Sequence, residues 1–130
     1  METSELKLRV LIVEDDGFQA LLVKKLVTRL GHIPIGTAAT GQEAINKAIE
    51  LHPDVILMDI TLDGDMDGVT AVENIKEKID LPVIYITGNS DSYNLDRAEQ
   101  TEFIDYLVKP ISSGNLKEPL ERVAKLVAIR

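Results

Sequence analysis

Apolar and polar positions alternate along this chain in two distinct rhythms, and the alternation itself predicts the architecture. Short runs of apolar residues, too short for a membrane span, recur at Val10-Leu11-Ile12-Val13, Val55-Ile56-Leu57-Met58, Val83-Ile84-Tyr85-Ile86 and Tyr106-Leu107-Val108. Runs of this kind read as strands buried on both faces. Between them lie stretches whose apolar residues return near every 3.6 positions, the spacing of one helix face. Strands alternating with helices define a doubly wound α/β fold, a parallel sheet with helices on both sides.

The first strand spans about Lys7 to Val13, and the first helix runs from about Phe18 to Leu30. Phe18, Leu21, Leu22, Leu26 and Leu30 are its predicted inner stripe, and Gly31 is its C-terminal stop. Ile33 to Thr37 is a weaker, more polar strand, as befits a sheet edge. Thr40 and Glu43 form a capping box ahead of a helix with Ala44, Ile45, Ala48 and Ile49 turned inward. Val69, Val72, Ile75 and Ile79 mark a third helix, and Pro82 precedes the fourth strand, Val83 to Thr87. Asp91 to Thr101 is a polar helix with few anchors (Leu95, Ala98), followed by a last strand from Ile104 to Val108. Leu116, Leu120, Val123, Ala124 and Val127 stripe the final helix. Proline in a helix interior removes a hydrogen bond and clashes with the preceding turn, so this helix is expected to begin late or bend at Pro119.

Every buried run ends on polar chemistry. Val13 is followed by Glu14-Asp15-Asp16, Met58 by Asp59, Ile86 by Thr87 and Val108 by Lys109. A buried carboxylate without partners costs several kcal/mol, so a repeated ending of this sort describes a site. In an open parallel sheet, ligands bind beyond the carboxyl ends of the strands, where the strand order reverses. In the flavodoxin-like order 2-1-3-4-5, strands one and three flank that point, which brings Glu14, Asp15 and Asp59 together. Carboxylates within about 4–6 Å repel one another unless a cation sits among them. Hard oxygen ligands with open positions suit Mg²⁺, with Mn²⁺ as a substitute. The Lys109 ammonium and the Thr87 hydroxyl converge from strands five and four. A carboxylate, a divalent cation, a lysine and a hydroxyl suit transfer of a phosphoryl group onto the carboxylate.

The motifs Val13-Glu14-Asp15-Asp16, Met58-Asp59, Asp67-Gly68, Tyr85-Ile86-Thr87-Gly88 and Tyr106-Leu107-Val108-Lys109-Pro110 occur in order over nearly the whole chain. In this the sequence resembles the response-regulator receiver domains of two-component signalling, the CheY-like (βα)5 sandwiches. The resemblance implies Asp59 as the phosphorylated residue, Asp15 as a direct metal ligand, Glu14 as a ligand through water and the Thr61 backbone carbonyl as a further ligand. It implies that Thr87 and Lys109 bind the phosphoryl oxygens, that Tyr106 is the switch residue that turns inward, and that Lys109-Pro110 is a cis peptide. The partners implied are a histidine kinase or histidine phosphotransfer protein and a downstream effector domain or protein, with helix four, strand five and helix five as the effector face. One departure stands out. The family's loop after the acceptor is Asp-x-x-Met-Pro-x-x-Asp-Gly, whereas the stretch from Asp59 to Gly68 lacks the proline and is one residue longer. Similar loops occur in a receiver subclass, so the departure bears on loop conformation and kinase docking rather than on the acceptor.

The same residues admit competing readings. Asp63-Gly64-Asp65-Met66-Asp67-Gly68 imitates the start of an EF-hand calcium loop, but its twelfth position, where a Glu is required, is Asn74. Gly64 and Gly68 then read as turn glycines, and Asp63 and Asp65 as solvated acids. Asp16 is open between a supporting acid of the site and a solvated loop acid. Arg97 and the lysines of the first helix read as solvated faces. His32 and His52 lie opposite the site and are neither ligand nor base. A flavin or nucleotide phosphate module needs backbone donors after the first strand, where three acids stand instead. A phosphorylation-independent pseudo-receiver fits poorly with a full complement of acids, Thr and Lys. An aspartyl phosphohydrolase needs an acid two residues after the nucleophile, where Thr61 stands. The chain is therefore expected to accept a phosphoryl group and lose it slowly, not to act as a turnover enzyme.

Length, charge and composition narrow the setting. The 130 residues suit one receiver domain over 1–130 with an ordered core of about 7–128. The net charge of −8 argues against direct nucleic-acid binding. The absence of cysteine, of a signal-peptide pattern and of a membrane-length apolar run points to a cytoplasmic setting with no membrane partner. The oligomeric state is left open by the sequence.

Overall fold

The computed structural model describes residues 6–62, 64–88 and 92–129. Five strands and five helices alternate without exception: β1 Arg9–Val13, α1 Gly17–Arg29, β2 Ile33–Ala38, α2 Gly41–Leu51, β3 Val55–Asp59, α3 Gly68–Lys76, β4 Val83–Thr87, α4 Ser92–Glu99, β5 Asp105–Val108 and α5 Ser113–Ile129. The strands form one parallel sheet in the order β2-β1-β3-β4-β5, as the pattern of apolar runs predicts. Every residue of β3 and β4 is buried, while the edge strands β2 and β5 are mostly half exposed. Continuous apolar runs thus mark strands covered on both faces, and mixed runs mark edges. Among the described residues no helix is long and apolar enough to cross a membrane.

Period-two alternation divides the interior into two layers. Leu11, Val13, Ile56, Met58, Val83 and Tyr85 pack with α2 and α3, while Val10, Ile12, Val55, Leu57, Ile84 and Ile86 pack with α1 and α5. Carried past the strand ends, the same parity puts Glu14, Asp59 and Lys109 with the α1/α5 layer. Thr87 and Tyr106 share parity with Tyr85 on the other. The register brings these ends level, with Val13 beside Met58, Asp59 beside Ile86 and Thr87 beside Val108.

Helix boundaries follow their caps. Thr40 accepts from the Glu43 N–H at 3.1 Å, and the Glu43 carboxylate reaches back to the Ala39 N–H at 2.7 Å, one residue earlier than in a standard box. Gly31, at φ +90°, takes the left-handed conformation that ends α1. Asp16 is exposed and serves as the N-cap of α1, accepting from the Gln19 N–H at 3.0 Å.

The expected inner face of α1 and the expected late start of the final helix are corrected. The inner face of α1 is formed by Val23 and Val27, with Leu26 and Leu30 partly buried, whereas Phe18, Leu21 and Leu22 are exposed. The helix carries two overlapping apolar stripes, and only the one facing the layer shared with α5 is covered. The final helix begins at Ser113, well before Pro119, which sits buried in its interior. Ser112 and Asn115 cap it reciprocally, Ser112 N–H and Oγ donating to Asn115 Oδ1 at 3.1 and 3.0 Å. Burial of Leu116, Leu120, Val123 and Ala124 on the same face offsets the proline's missing donor. Asp63 and Asp91 lie outside the described residues, so the fourth helix is described from Ser92.

Gly68 is required by contact rather than by a turn. A Cβ there would lie 2.1 Å from the Asp59 carbonyl oxygen and 2.9 Å from the Ile60 Cα, both backbone. Gly17, at the first position of α1, has nothing within 4 Å of the equivalent point. Gly68→Ala is therefore expected to destabilise by about 2–3 kcal/mol. Gly17→Ala should stabilise by about 0.4–1 kcal/mol. Urea midpoints that fail to move in opposite directions would contradict this packing.

Candidate functional site

At the carboxyl edge of the sheet the chain gathers acids around one ammonium. The Lys109 Nζ donates to Glu14 Oε1 at 2.6 Å and to Asp59 Oδ2 at 2.9 Å. The Thr61 N–H donates to Asp59 Oδ1 at 3.1 Å, so both oxygens of Asp59 are engaged. Glu14 and Asp59 are 6% and 4% exposed, and Asp15 is half buried. Oxygens of Glu14, Asp15 and Asp59 lie within 4.8 Å of one another, and among the described residues these are the acids grouped closely enough to hold a metal ion.

Burial is the main force raising the Glu14 pKa above the usual carboxylate value, reinforced by the adjoining Asp59 and opposed by Lys109. Burial works against the Lys109 ammonium too, but its bonds to Glu14 and Asp59 outweigh it and hold the lysine above its ordinary value. A raised carboxylate pKa means that ionised Glu14 costs folding stability. That cost is full above the folded pKa, fades as pH falls from the folded to the unfolded pKa, and is gone below it.

Thr87 closes β4, fully buried, and its carbonyl accepts from the Lys109 N–H at 2.7 Å. Tyr106 stands half buried with its ring 6.4 Å from that of Tyr85. The Lys109–Pro110 bond is cis. His32 and His52 sit at the opposite edge, where His32 Nδ1 accepts from the Leu8 N–H at 3.0 Å and the His52 carbonyl accepts from Arg9 at 2.8 Å.

The loop after Asp59 is pinned rather than free. Leu62 is buried, and the Met66 side chain lies over Gly41 at the start of α2, within 2.3 Å of where a Cβ would stand. Asp67 caps α3 through the Thr70 N–H at 3.0 Å and is gripped by Arg97, at 2.5 and 3.1 Å. Burial raises its pKa, but Arg97 outweighs this and leaves it below the usual range. Arg97 is thus not a solvated residue; Asp67 is committed to it, and Asp65 is exposed. Sequence reasoning also missed the Tyr85 hydroxyl, which donates to Thr101 Oγ1 at 2.8 Å while Thr101 donates to the Ala98 carbonyl at 2.7 Å. Burial pushes the Tyr85 phenol up to about 12. A tyrosine inside an aliphatic strand and an arginine on a helix with few apolar anchors were the available signals.

A doubly wound parallel sheet in the order β2-β1-β3-β4-β5, with acids, a hydroxyl and a lysine at its carboxyl edge, defines a flavodoxin-like α/β module. Residues 10–121 match the family model of the response regulator receiver domain, and the chain belongs to that family. It is 34% identical over 119 residues to the chemotaxis protein CheY of Thermotoga maritima, covering 90% of this chain and 98% of that one. It is 35% identical to the probable C4-dicarboxylate response regulator DctR of Halalkalibacterium halodurans, across 92% of this chain and 52% of that protein. The chain thus spans nearly all of one relative but about half of the other. The receiver domain of a modulated diguanylate cyclase from Desulfovibrio desulfuricans superposes with a TM-score of 0.87 at 31% identity, covering 95% of this chain and 98% of that one.

Among the described residues, three carboxylates gather beside the Lys109 ammonium, which bonds two of them. Mg²⁺ should therefore stabilise the fold, since it relieves repulsion only in the folded state. Asp59→Asn should raise metal-free stability by about 1 kcal/mol. Thermal melts in EDTA in which the variant is clearly less stable than the parent would contradict this charge balance.

Proposed function

We propose that this chain is a phosphoacceptor receiver of a two-component or phosphorelay system, residues 1–130 forming one receiver domain in the cytoplasm. Asp59 takes the phosphoryl group from the phosphohistidine of a histidine kinase or phosphotransfer protein. The observation that carries the reading is the buried Asp59 carboxylate, bonded to Lys109 and grouped with Glu14 and Asp15. A carboxylate oxygen of Asp59 attacks phosphorus, the P–N bond breaks, and the donor histidine leaves as imidazole.

The donor set fits Mg²⁺: hard oxygens only, two of the three acids buried, and the Lys109 ammonium shared between Glu14 and Asp59. Asp15 and Asp59 would hold it directly, Glu14 through water, and the Thr61 carbonyl would complete the protein ligands. When bound, the cation supplies charge stabilisation for the transferring phosphoryl oxygens. Lys109 swings its ammonium from Glu14 and Asp59 onto a phosphoryl oxygen, and the Thr87 hydroxyl donates to another. The buried walls keep water from the acyl phosphate. The exposed stripe of Phe18, Leu21 and Leu22, which begins two residues after Asp16, gives the phosphodonor an apolar surface beside the acceptor.

The added charge sits at the ends of β4 and β5, so Thr87, Tyr106 and the α4–β5–α5 face carry the change to an effector. Only Ala98 of α4 is fully buried among its described residues, and loosely anchored elements are the ones that switch.

Labelling with acetyl phosphate and Mg²⁺ should be hydroxylamine-sensitive and vanish in Asp59→Asn. It should be much weaker in Asp15→Ala but not in Asp65→Ala. Undiminished labelling of Asp59→Asn would overturn the assignment. Hydrogen exchange with beryllofluoride should change along α4, β5 and α5; changes confined to α1 and α2 would mean that the signal leaves by another face.

A further inference from the structure

Helix α4 is held chiefly by polar contacts. Ala98 is its one fully buried side chain among those described, and Leu95 is half buried. Toward α3 it extends the Arg97 fork: Nη1 to Asp67 Oδ2 at 2.5 Å, Nη2 to Asp67 Oδ1 at 3.1 Å and Nη2 to Thr70 Oγ1 at 3.3 Å. The guanidinium carbon also lies 5.6 Å from the centre of the Tyr93 ring. A two-point grip of this kind fixes orientation as well as distance, which a lysine would not.

The other end of the fork rides on the acceptor backbone. Asp67 precedes Gly68, whose N–H donates to the Ile60 carbonyl at 2.8 Å and which leaves no room for a Cβ beside the Asp59 carbonyl. The ion pair therefore joins α4 directly to the backbone that carries Asp59. Side-chain exposures of 25% and 33% leave it only partly screened by solvent.

We infer that the Arg97–Asp67 fork is a latch that holds α4 in its resting placement and is given up on activation, which makes Arg97 a positioning residue for the phosphorylation switch. The inference rests on the phosphoacceptor reading above. The fork is formed here with Lys109 still on Asp59, the unphosphorylated arrangement. An interaction made in the resting state and lost in the active one biases the equilibrium toward rest. By reciprocity, removing it must favour occupancy of the acceptor site.

Beryllofluoride with Mg²⁺ is titrated against the parent, Arg97→Met, Asp67→Asn and the double variant, with amide exchange of α4 measured in each before ligand is added. Asn at 67 can still accept the Thr70 N–H, so the α3 cap survives. Each single variant is expected to tighten beryllofluoride binding roughly fivefold, the double variant no further, and α4 amides to exchange faster in all three. Arg97→Lys, which keeps the charge but not the fork, should fall between parent and Arg97→Met. A direct field effect would behave otherwise: losing a cation would weaken binding of the anion and losing an anion would strengthen it. Opposite shifts in the two single variants, additive shifts in the double, or no shift at all would each overturn the latch. A parent that binds no beryllofluoride would overturn the phosphoacceptor reading and the latch with it, whereas a parent that binds it beside unshifted variants overturns the latch alone.

Discussion

The ammonium of Lys109, lodged between Glu14 and Asp59, is the interaction on which the carboxyl edge of this sheet depends. It reaches from the edge strand β5 to the ends of β1 and β3, joining residues 95 and 50 positions apart. Without it, two buried carboxylates would face each other with no compensating charge, a loss of several kcal/mol. With it, the edge is balanced only in part, because one ammonium is shared between two carboxylates. A site left short of positive charge is stable enough to fold and poised to take a cation. One lysine therefore serves both the resting fold and the chemistry proposed for it.

The helices are attached by different means, and the difference maps onto what each must do. Helix α5 is seated by Leu116, Leu120, Val123 and Ala124, and Arg122 ties it to β5 through the Ile104 carbonyl at 2.8 Å and Asp105 at 2.5 Å. Helices α2 and α3 bury apolar faces, and Met66 bolts the intervening loop onto Gly41. Helix α4 has little of this. Apolar contact is indifferent to small rotations, whereas a forked ion pair is either made or broken. An element held by such pairs can occupy two discrete placements instead of a continuum.

The fold was legible because β3 and β4 are covered on both sides, so their residues had to be uniformly apolar, and because Thr40 and Gly31 mark element ends by local chemistry. The acids and the lysine were legible for a related reason: polar residues ending buried runs fall at one edge of a parallel sheet whatever the loops do. What escaped was long-range or degenerate. Arg97 and Asp67 lie 30 positions apart, and no local pattern pairs them. In α1 two apolar stripes satisfy the same periodicity, and only the packing of α5 selects Val23 and Val27. In α5 the intrinsic cost of Pro119 was visible, but the tertiary burial that offsets it was not. Asp16 as a cap and Asp16 as a site acid are the same letter in the same place.

The placement of aromatic rings gives the molecule a built-in optical asymmetry. The chain has no tryptophan and three tyrosines, and all three, Tyr85, Tyr93 and Tyr106, lie between the start of β4 and the end of β5. Tyr85 is enclosed, with Phe103 edge-on at 5.6 Å and Tyr106 tilted at 6.4 Å, while Tyr93 sits under the Arg97 guanidinium on the surface. Near-ultraviolet circular dichroism and tyrosine emission will therefore report the half of the sheet that carries α4 and remain nearly silent on β1, β2 and their helices. A spectroscopic transition in this protein is a local signal, and its midpoint will coincide with global unfolding only where the two halves melt together.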